Sequence, residues 1–153
     1  SNMNTRSSSK DKVFAVEQAN AMLPLVRAIT SDLVHLFHAV MDRRQRLKRL
    51  TTGRDLETGD PYTDELVQIQ EELDKDVQKL EGYMEELREL GVELKSPAEG
   101  LIDFPSVLDG QPVLLCWKLG EPEVMHWHTL EGGFAERQPL HVPVAADAMD
   151  SEF

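Results

Sequence analysis

Apolar residues recur at alternating steps of three and four in the first third of the chain, a pattern typical of an amphipathic helix with one packing seam. Pro24 suits the first turn of a helix, so the main helix is predicted to begin there. Glu17–Leu23 would then form a short preceding turn or helix, kinked at the proline. The stripe comprises Val26, Ile29, Leu33, Leu36, Val40, Leu47 and Leu50, with Arg43 in one position.

A second stripe of the same period follows a loop with two glycines. Asp60 and Pro61 offer a helix cap and a proline suited to the first turn, and Gly91 provides a stop. Two helices of similar length with a short connection usually fold back antiparallel, which predicts a helical hairpin over residues 17–91. The second stripe comprises Leu66, Ile69, Leu73, Val77, Leu80, Met84, Leu87 and Leu90.

The pattern after Gly91 changes to the two-residue period of β-strands. Asp109-Gly110 is a strong signal for a tight turn between two strands. The sequence therefore predicts an α+β fold, in which the long antiparallel two-helix hairpin precedes a three- to four-stranded antiparallel β-meander over residues 92–141. The predicted strands are residues 92–95, 101–107, 112–118 and 123–128.

The turns also predict which residues lie opposite each other. The tight hairpin sets Asp103 opposite Cys116, and a four-residue turn over 119–122 would set Leu115 opposite His126. The more apolar face of the sheet is expected to cover the helices. That face comprises Ile102, Phe104, Val113, Leu115, Trp117, Val124, His126 and His128.

The ends of the chain have the polar composition of disordered segments, which predicts tails over residues 1–12 and 142–153, the second acidic. Ser1-Asn2 before Met3 is interpreted as the remnant of a cleaved tag. A single α+β domain is predicted between the tails, over residues 13–141. No apolar run reaches the length of about 18 residues that a membrane span needs, so no membrane partner is expected.

Charge and cysteine content narrow the possible functions. The net charge is −12: residues 1–60 hold 10 Lys and Arg against 7 Asp and Glu, and residues 61–153 hold 6 against 21. An acidic chain of this kind is a poor general ligand for nucleic-acid phosphates. Cys116 is the only cysteine, which excludes an intrachain disulfide and an all-cysteine zinc site and suits a reducing cytoplasm.

The His126-x-His128 motif is the most suggestive of chemistry. Residues i and i+2 of a strand share a face, so both imidazoles would reach one divalent metal ion. Glu131 would complete the site, with Glu121 or His141 as alternatives. The competing interpretation is structural, with one histidine buried against the backbone and the other at the rim.

The opposed pair Asp103 and Cys116 is a second candidate. A neighbouring carboxylate raises the pKa of a thiol, which is the wrong direction for a nucleophile. A free cysteine is also usually a packing residue, so catalysis by Cys116 is not predicted.

A cluster of basic residues ends the first helix: Arg43, Arg44, Arg46, Lys48 and Arg49. Such clusters bind nucleic acid in some proteins, but cations also complement the dipole at a helix C-terminus. The acidic start of the second helix would lie alongside and neutralise the cluster. Arg43 and Asp76 interrupt the two stripes, and either they pair and fix the register of the hairpin or both point to solvent.

The apolar stripe of the first helix is widest in its middle, where Val34, Phe37 and Met41 add to it. One partner helix cannot cover such a face. The sheet or a second copy of the chain would cover the rest, and because most soluble oligomers are symmetric, we expect a homodimer through this surface.

Short motifs follow one another in the C-terminal half: Gly100-Leu-Ile-Asp-Phe-Pro105, Leu115-Cys-Trp117, Leu119-Gly-Glu121, Trp127-His128 and Gly133-Phe-Ala with Arg137. Together with Phe14, Glu17 and Leu23-Pro24, they resemble a bacterial family of small cytoplasmic proteins catalogued only as a domain of unknown function. The resemblance covers residues 13–140. It implies a bacterial, cytoplasmic protein and no particular activity, cofactor or substrate.

The resemblance also selects a candidate polar site, comprising Asp103, Glu121, His128 and Arg137. His126 stands where the family more usually has tyrosine, and Glu136 where it more usually has glycine. The first difference weakens the two-histidine metal pair as a family property.

Three functions remain open. The dominant hairpin and the lack of a recognisable catalytic set favour a non-enzymatic binding or assembly module with an unidentified protein partner. The first alternative is a small metal- or ligand-dependent enzyme, with His128 as ligand or general base, a carboxylate partner and Arg137 as an anion clamp. The second alternative is contact with nucleic acid or the ribosome through the basic helix end.

Overall fold

The computed structural model of the protein describes residues 12–52 and 61–141. The predicted disordered tails lie outside these residues, apart from Lys12, and so does the predicted helix cap Asp60. The described chain forms two long helices followed by an antiparallel sheet, which confirms the predicted α+β class. Neither helix is both long and apolar enough to cross a membrane.

The first helix, α1, is continuous over Val16–Thr51 and passes through Pro24, so the predicted break at the proline is wrong. The helix begins earlier because the side chain of Gln18 accepts a hydrogen bond of 2.8 Å from the backbone N–H three residues before it. Leu23 and Val26 flank the proline and are both buried in the same core. Their packing outweighs the helical hydrogen bond that Pro24 cannot make.

The second helix, α2, spans Pro61–Glu89 and folds back along α1 as predicted. Shortly after the end of α2, Gly91 has a φ of 91°, a positive value that favours glycine. Arg43 and Asp76 form an ion pair across the hairpin, so the two polar residues that interrupt the stripes do meet. The buried residues of α2 recur every seven positions, as a packing seam requires: Leu66, Leu73, Leu80 and Leu87.

The sheet has five antiparallel strands in the order of the sequence. They are β1 (Glu93–Ser96), β2 (Leu101–Leu108), β3 (Gln111–Lys118), β4 (His126–Thr129) and β5 (Gln138–Pro139). The predicted meander is confirmed, and β5 extends it by a strand of two residues, too short to produce a periodic pattern. The register of β2 and β3 is also confirmed, since Asp103 lies opposite Cys116.

The predicted register of β3 and β4 is wrong by one residue. β4 begins at His126 rather than three residues earlier, and Cys116 lies opposite it. The connection is longer than a tight turn because Val124 is held by α1, its N–H donating to Asn20 Oδ1 at 2.7 Å. Because side chains alternate along a strand, this slip moves His126 and His128 to the face turned away from the helices.

The loop of residues 119–125 is attached to its surroundings mainly through its backbone. Arg27 Nη2, on α1, donates to the carbonyl oxygen of Pro122 at 2.9 Å, and Trp117 Nε1 donates to that of Glu121 at 2.9 Å. The helix layer therefore fixes the path of the loop. The carboxylate of Glu121 is left to interact on the other face of the sheet.

The main core lies between the helices and one face of the sheet. Its members include Leu23, Val26, Leu33, Leu80, Leu87, Ile102, Phe104, Leu115, Trp117 and Val124. Three buried residues of the hairpin, Val40, Leu66 and Leu73, are not part of this cluster. The hairpin thus continues past the main core, and we call residues 41–52 and 61–73 the hairpin tip.

Candidate functional site

The face of the sheet turned away from the helices contains a buried pair of ionisable side chains. Asp103 on β2 and His128 on β4 are 2% and 3% exposed, and Asp103 Oδ2 lies 3.0 Å from His128 Nε2. The two strands flank β3, so the contact crosses one intervening strand. Buried polar groups persist when they are paired, and each residue here satisfies the other.

The hydrogen bonds of His128 determine where its ring proton lies. Nδ1 is 2.8 Å from the carbonyl oxygen of Thr129, which can only accept, so Nδ1 carries hydrogen. Nε2 faces the carboxyl of Asp103, and one proton is shared along that contact. Both ring nitrogens are therefore engaged, and His128 has no free nitrogen to act as a general base toward Cys116.

Cys116, on the strand between the two, completes the cluster. It is buried, and burial together with the charge of Asp103 raises the pKa of its thiol to about 11. Burial likewise raises the pKa of Asp103, although His128 acts in the opposite direction. A protonated, buried thiol is a poor nucleophile, in agreement with the expectation from sequence. One ligand atom from each of Asp103, Cys116 and His128 lies within 4.8 Å of the other two.

A small cavity of about 180 Å³ opens beside this cluster. The chain after β4 forms one wall through Gly132, Gly133 and Phe134, and Lys95 of β1 lies at another side. The remaining lining residues are Leu101, Asp103, Leu114, Cys116, His128 and Leu130. The cluster therefore has apolar surroundings and room for a small ligand.

Glu121 and Arg137 form a second polar pair next to the first. Arg137 Nη1 donates to Glu121 Oε1 at 3.0 Å, and Nη2 donates to Oε2. The same Oε1 accepts the backbone N–H of Lys118 at 2.8 Å. The guanidinium lies over the ring of Phe134, 4.2 Å from its centre, and its Nη1 is 4.0 Å from Cys116 Sγ.

The pKa values of this second pair shift as expected for an ion pair. Partial burial raises the pKa of Glu121, but the hydrogen bonds from Arg137 and the Lys118 backbone outweigh it, so the net shift is downward. The hydrogen bond to Glu121 raises the pKa of Arg137. The guanidinium of Arg137 is therefore already paired with a carboxylate of the same chain.

The structure brings His128 to Asp103 and Cys116 rather than to the other predicted metal ligands. His126 lies opposite Cys116, and its Nδ1 is buried without a hydrogen-bond partner. Glu131 is exposed. Neither residue belongs to the group whose ligand atoms lie close enough for one ion in the described part of the chain. The family resemblance had grouped His128 with Asp103, and the correct register of β4 would have placed both beside Cys116 on one face of the sheet.

The other candidate residues lie on the hairpin. Val34 and Phe37 are half-buried, with Phe37 packed against the main core, whereas Met41 is 38% exposed. Arg43 is paired with Asp76. The remaining basic candidates are exposed and form no ion pair with another described residue: Arg44, Arg46 and Arg49.

Comparison with known proteins identifies the family of this chain but assigns no function to it. No curated protein and no solved structure gives a significant match to this chain. A family model described as an uncharacterized conserved protein, DUF2203, matches residues 12–140. That match spans most of the 153 residues, and the chain therefore belongs to the DUF2203 family.

Proposed function

We propose that the protein binds a divalent transition-metal ion, with Zn²⁺ as the best fit, through Asp103, Cys116 and His128. The observation that carries this proposal is the buried cluster itself, whose three ligand atoms lie within 4.8 Å of one another. Ligands placed tetrahedrally around zinc are separated by roughly 3.5 Å, so a small movement of side chains would close the site. Carboxylate, thiolate and imidazole are the ligand types that zinc prefers.

The hydrogen bond from His128 Nδ1 to Thr129 supports this assignment. A metal-ligating histidine usually donates its other ring N–H to a carbonyl or carboxylate, which fixes the ring and its tautomer. In this protein, His128 Nδ1 already lies 2.8 Å from the carbonyl oxygen of Thr129, and Nε2 faces Asp103 in the cluster. An ion would replace the proton now shared by Nε2 and Asp103 and also the proton of the Cys116 thiol, and both protons would be released to solvent.

The cavity indicates what kind of site this would be. Structural zinc sites use four protein ligands, whereas catalytic sites use three and leave a position open. Three ligands beside a cavity of about 180 Å³ match the second kind. At about 30 Å³ for each water, the cavity suits a ligand of only a few non-hydrogen atoms. We therefore favour metal-dependent binding or chemistry on a very small molecule.

The other two hypotheses rest on the hairpin. Contact with nucleic acid has less support, because Arg43 is engaged by Asp76 and the chain carries a net charge of −12. A binding or assembly role has independent support from the surface of the hairpin tip and does not compete with metal binding in the sheet.

Substitution with Co²⁺ tests the proposal directly. We expect the protein, after treatment with a chelator, to bind one Co²⁺ per chain and to show the near-ultraviolet charge-transfer band of a thiolate–cobalt bond. Cys116→Ser should abolish the band, and Asp103→Asn and His128→Gln should each weaken binding by about 100-fold or more.

The matched control is His126→Gln, which removes a histidine from the same strand and the same face but outside the cluster. It should bind Co²⁺ like the unaltered protein, and circular dichroism would verify that every variant is folded. Absence of the charge-transfer band in the unaltered protein, or undiminished binding by Asp103→Asn and His128→Gln, would rule out the proposed site.

A further inference from the structure

The hairpin tip has an apolar groove between its two helices. The groove has a volume of about 510 Å³, and Leu47 of α1 lines it together with Leu66, Val67 and Leu73 of α2. Val67 is 51% exposed although it lies among apolar neighbours. Leu66 and Leu73 are buried, whereas Leu47 is half-buried, so Leu47 and Val67 are the apolar residues that the groove exposes, and we call these two residues the apolar strip.

Charges of opposite sign lie on the two sides of the groove. Arg44 and Lys48 line it on the α1 side. Beyond Val67, on the α2 side, the lining of a second depression is mainly acidic: it includes Asp64, Glu71 and Glu72, together with one cation, Lys75. Within the described residues, Arg44, Lys48, Asp64 and Glu71 form no ion pair.

A basic edge, an apolar strip and an acidic edge in this order make a self-complementary surface. A two-fold axis through the strip places the basic edge of one copy on the acidic edge of the other, twice, and buries both apolar strips. Such reciprocity is what an isologous interface requires. We propose that the hairpin tip is a homodimer interface, with the apolar strip at its centre and the Arg44/Lys48 edge paired with the Asp64/Glu71 edge of a second copy.

The same charges argue against other occupants of the groove. A nucleic-acid strand or an anionic membrane carries charge of one sign only, so it would match the basic edge and be repelled by the acidic edge. An acidic peptide would match one edge only. A second copy of the chain matches both edges and the apolar strip at once.

Reciprocal charge reversal is the sharpest test, read by analytical ultracentrifugation of the full chain at several concentrations. The unaltered protein should form dimers that weaken as salt rises. The double variant Arg44→Glu/Lys48→Glu and the double variant Asp64→Lys/Glu71→Lys should each raise the dimer Kd by about ten-fold or more. The first double variant has two acidic edges and the second has two basic edges, so an equimolar mixture of the two should form a heterodimer. The chain with all four substitutions exchanges the two edges completely.

The chain with all four substitutions should recover the dimer, because its edges are again opposite in charge. Lys79→Glu, an exposed change on α2 away from the tip, is the control for altered net charge and should leave the Kd unchanged. A monomer at every concentration overturns the proposal. So does a dimer that survives both double variants, or a failure of the four substitutions to restore it. Since metal binding involves the other end of the molecule, none of these outcomes affects that proposal.

Discussion

The sheet site and the hairpin tip both contain acidic and basic side chains, but the two regions use them differently. In the sheet, Asp103 is paired with His128 in the interior, and Glu121 is paired with Arg137 beside it. At the tip, most charges are exposed and have no described partner, such as Arg44 and Glu71. Burial accounts for the difference, since a buried ionisable group needs a specific partner whereas water solvates an exposed one.

The comparison has a consequence for function. Side chains fixed by mutual pairing present a defined geometry, which suits recognition of one ion or a very small molecule. Exposed, unpaired charges act together over a surface and suit association with a partner of complementary charge. Three substitutions would measure how different the two regions are.

The largest effect is expected for His128→Ala. It leaves the carboxyl of Asp103 buried without its partner and opens a cavity, which should lower the free energy of unfolding by about 3–5 kcal/mol. Urea denaturation in the presence of a chelator would measure this in the metal-free chain. His126→Ala, on the same strand, is the control and should cost about 1 kcal/mol. Equal losses in the two variants would contradict the assigned pairing.

A smaller effect, dependent on pH, is expected for Glu121→Gln. The variant weakens the hydrogen bonds that Glu121 accepts from Arg137 and the Lys118 backbone, which should cost about 1–2 kcal/mol at neutral pH. The pKa of Glu121 is lowered in the folded chain, so its contribution is complete above the ordinary glutamate pKa of about 4.3 and is lost as the pH falls through the folded value.

The two unfolding curves should therefore converge in acid. Denaturation of both proteins between neutral pH and the acid range would show this, provided the unaltered chain stays folded there. A difference that is the same at every pH would mean that Glu121 acts through packing rather than through its charge.

The smallest effect is expected for Arg43→Ala at the edge of the tip. Its ion pair with Asp76 crosses the hairpin, but the Arg43 side chain is 52% exposed, and such pairs contribute about 0.5 kcal/mol or less. Thermal unfolding at low and high salt would test this, with Lys79→Ala as an unpaired control. A loss as large as that for Glu121→Gln would remove the contrast between the two regions.

Much of the fold could be predicted from the sequence because its signals are local. The stripes of the two helices and the Asp109-Gly110 turn each depend on neighbouring residues, and they gave the hairpin and the β2–β3 register. The continuity of α1 through Pro24 was not predictable, because it depends on the burial of Leu23 and Val26 in a core assembled from distant elements.

Within the candidate site, too, the pairing that depends on a local turn was predicted correctly, and the pairing that depends on a distant contact was not. Asp103 was set opposite Cys116 correctly, since only the tight turn determines that pairing. His128 was assigned to the wrong face, because the length of the β3–β4 connection depends on Asn20 of α1, more than one hundred residues from Val124. In the register predicted from the turns, a slip of one residue put His128 on the face opposite Asp103 and Cys116, although the family resemblance had grouped Asp103 with His128.

The hydrogen bonds of the 119–125 loop make Glu121 the residue that joins the helix-facing side of the sheet to its far side. The backbone carbonyl oxygen of Glu121 accepts a hydrogen bond from Trp117 on the helix-facing side. Arg27 of α1 donates a hydrogen bond to the carbonyl oxygen of Pro122, the next residue. The carboxylate of Glu121 holds Arg137, which lies against Phe134 in the wall of the cavity. One short series of contacts through Glu121 therefore connects α1 with the wall of the cavity on the opposite side of the sheet.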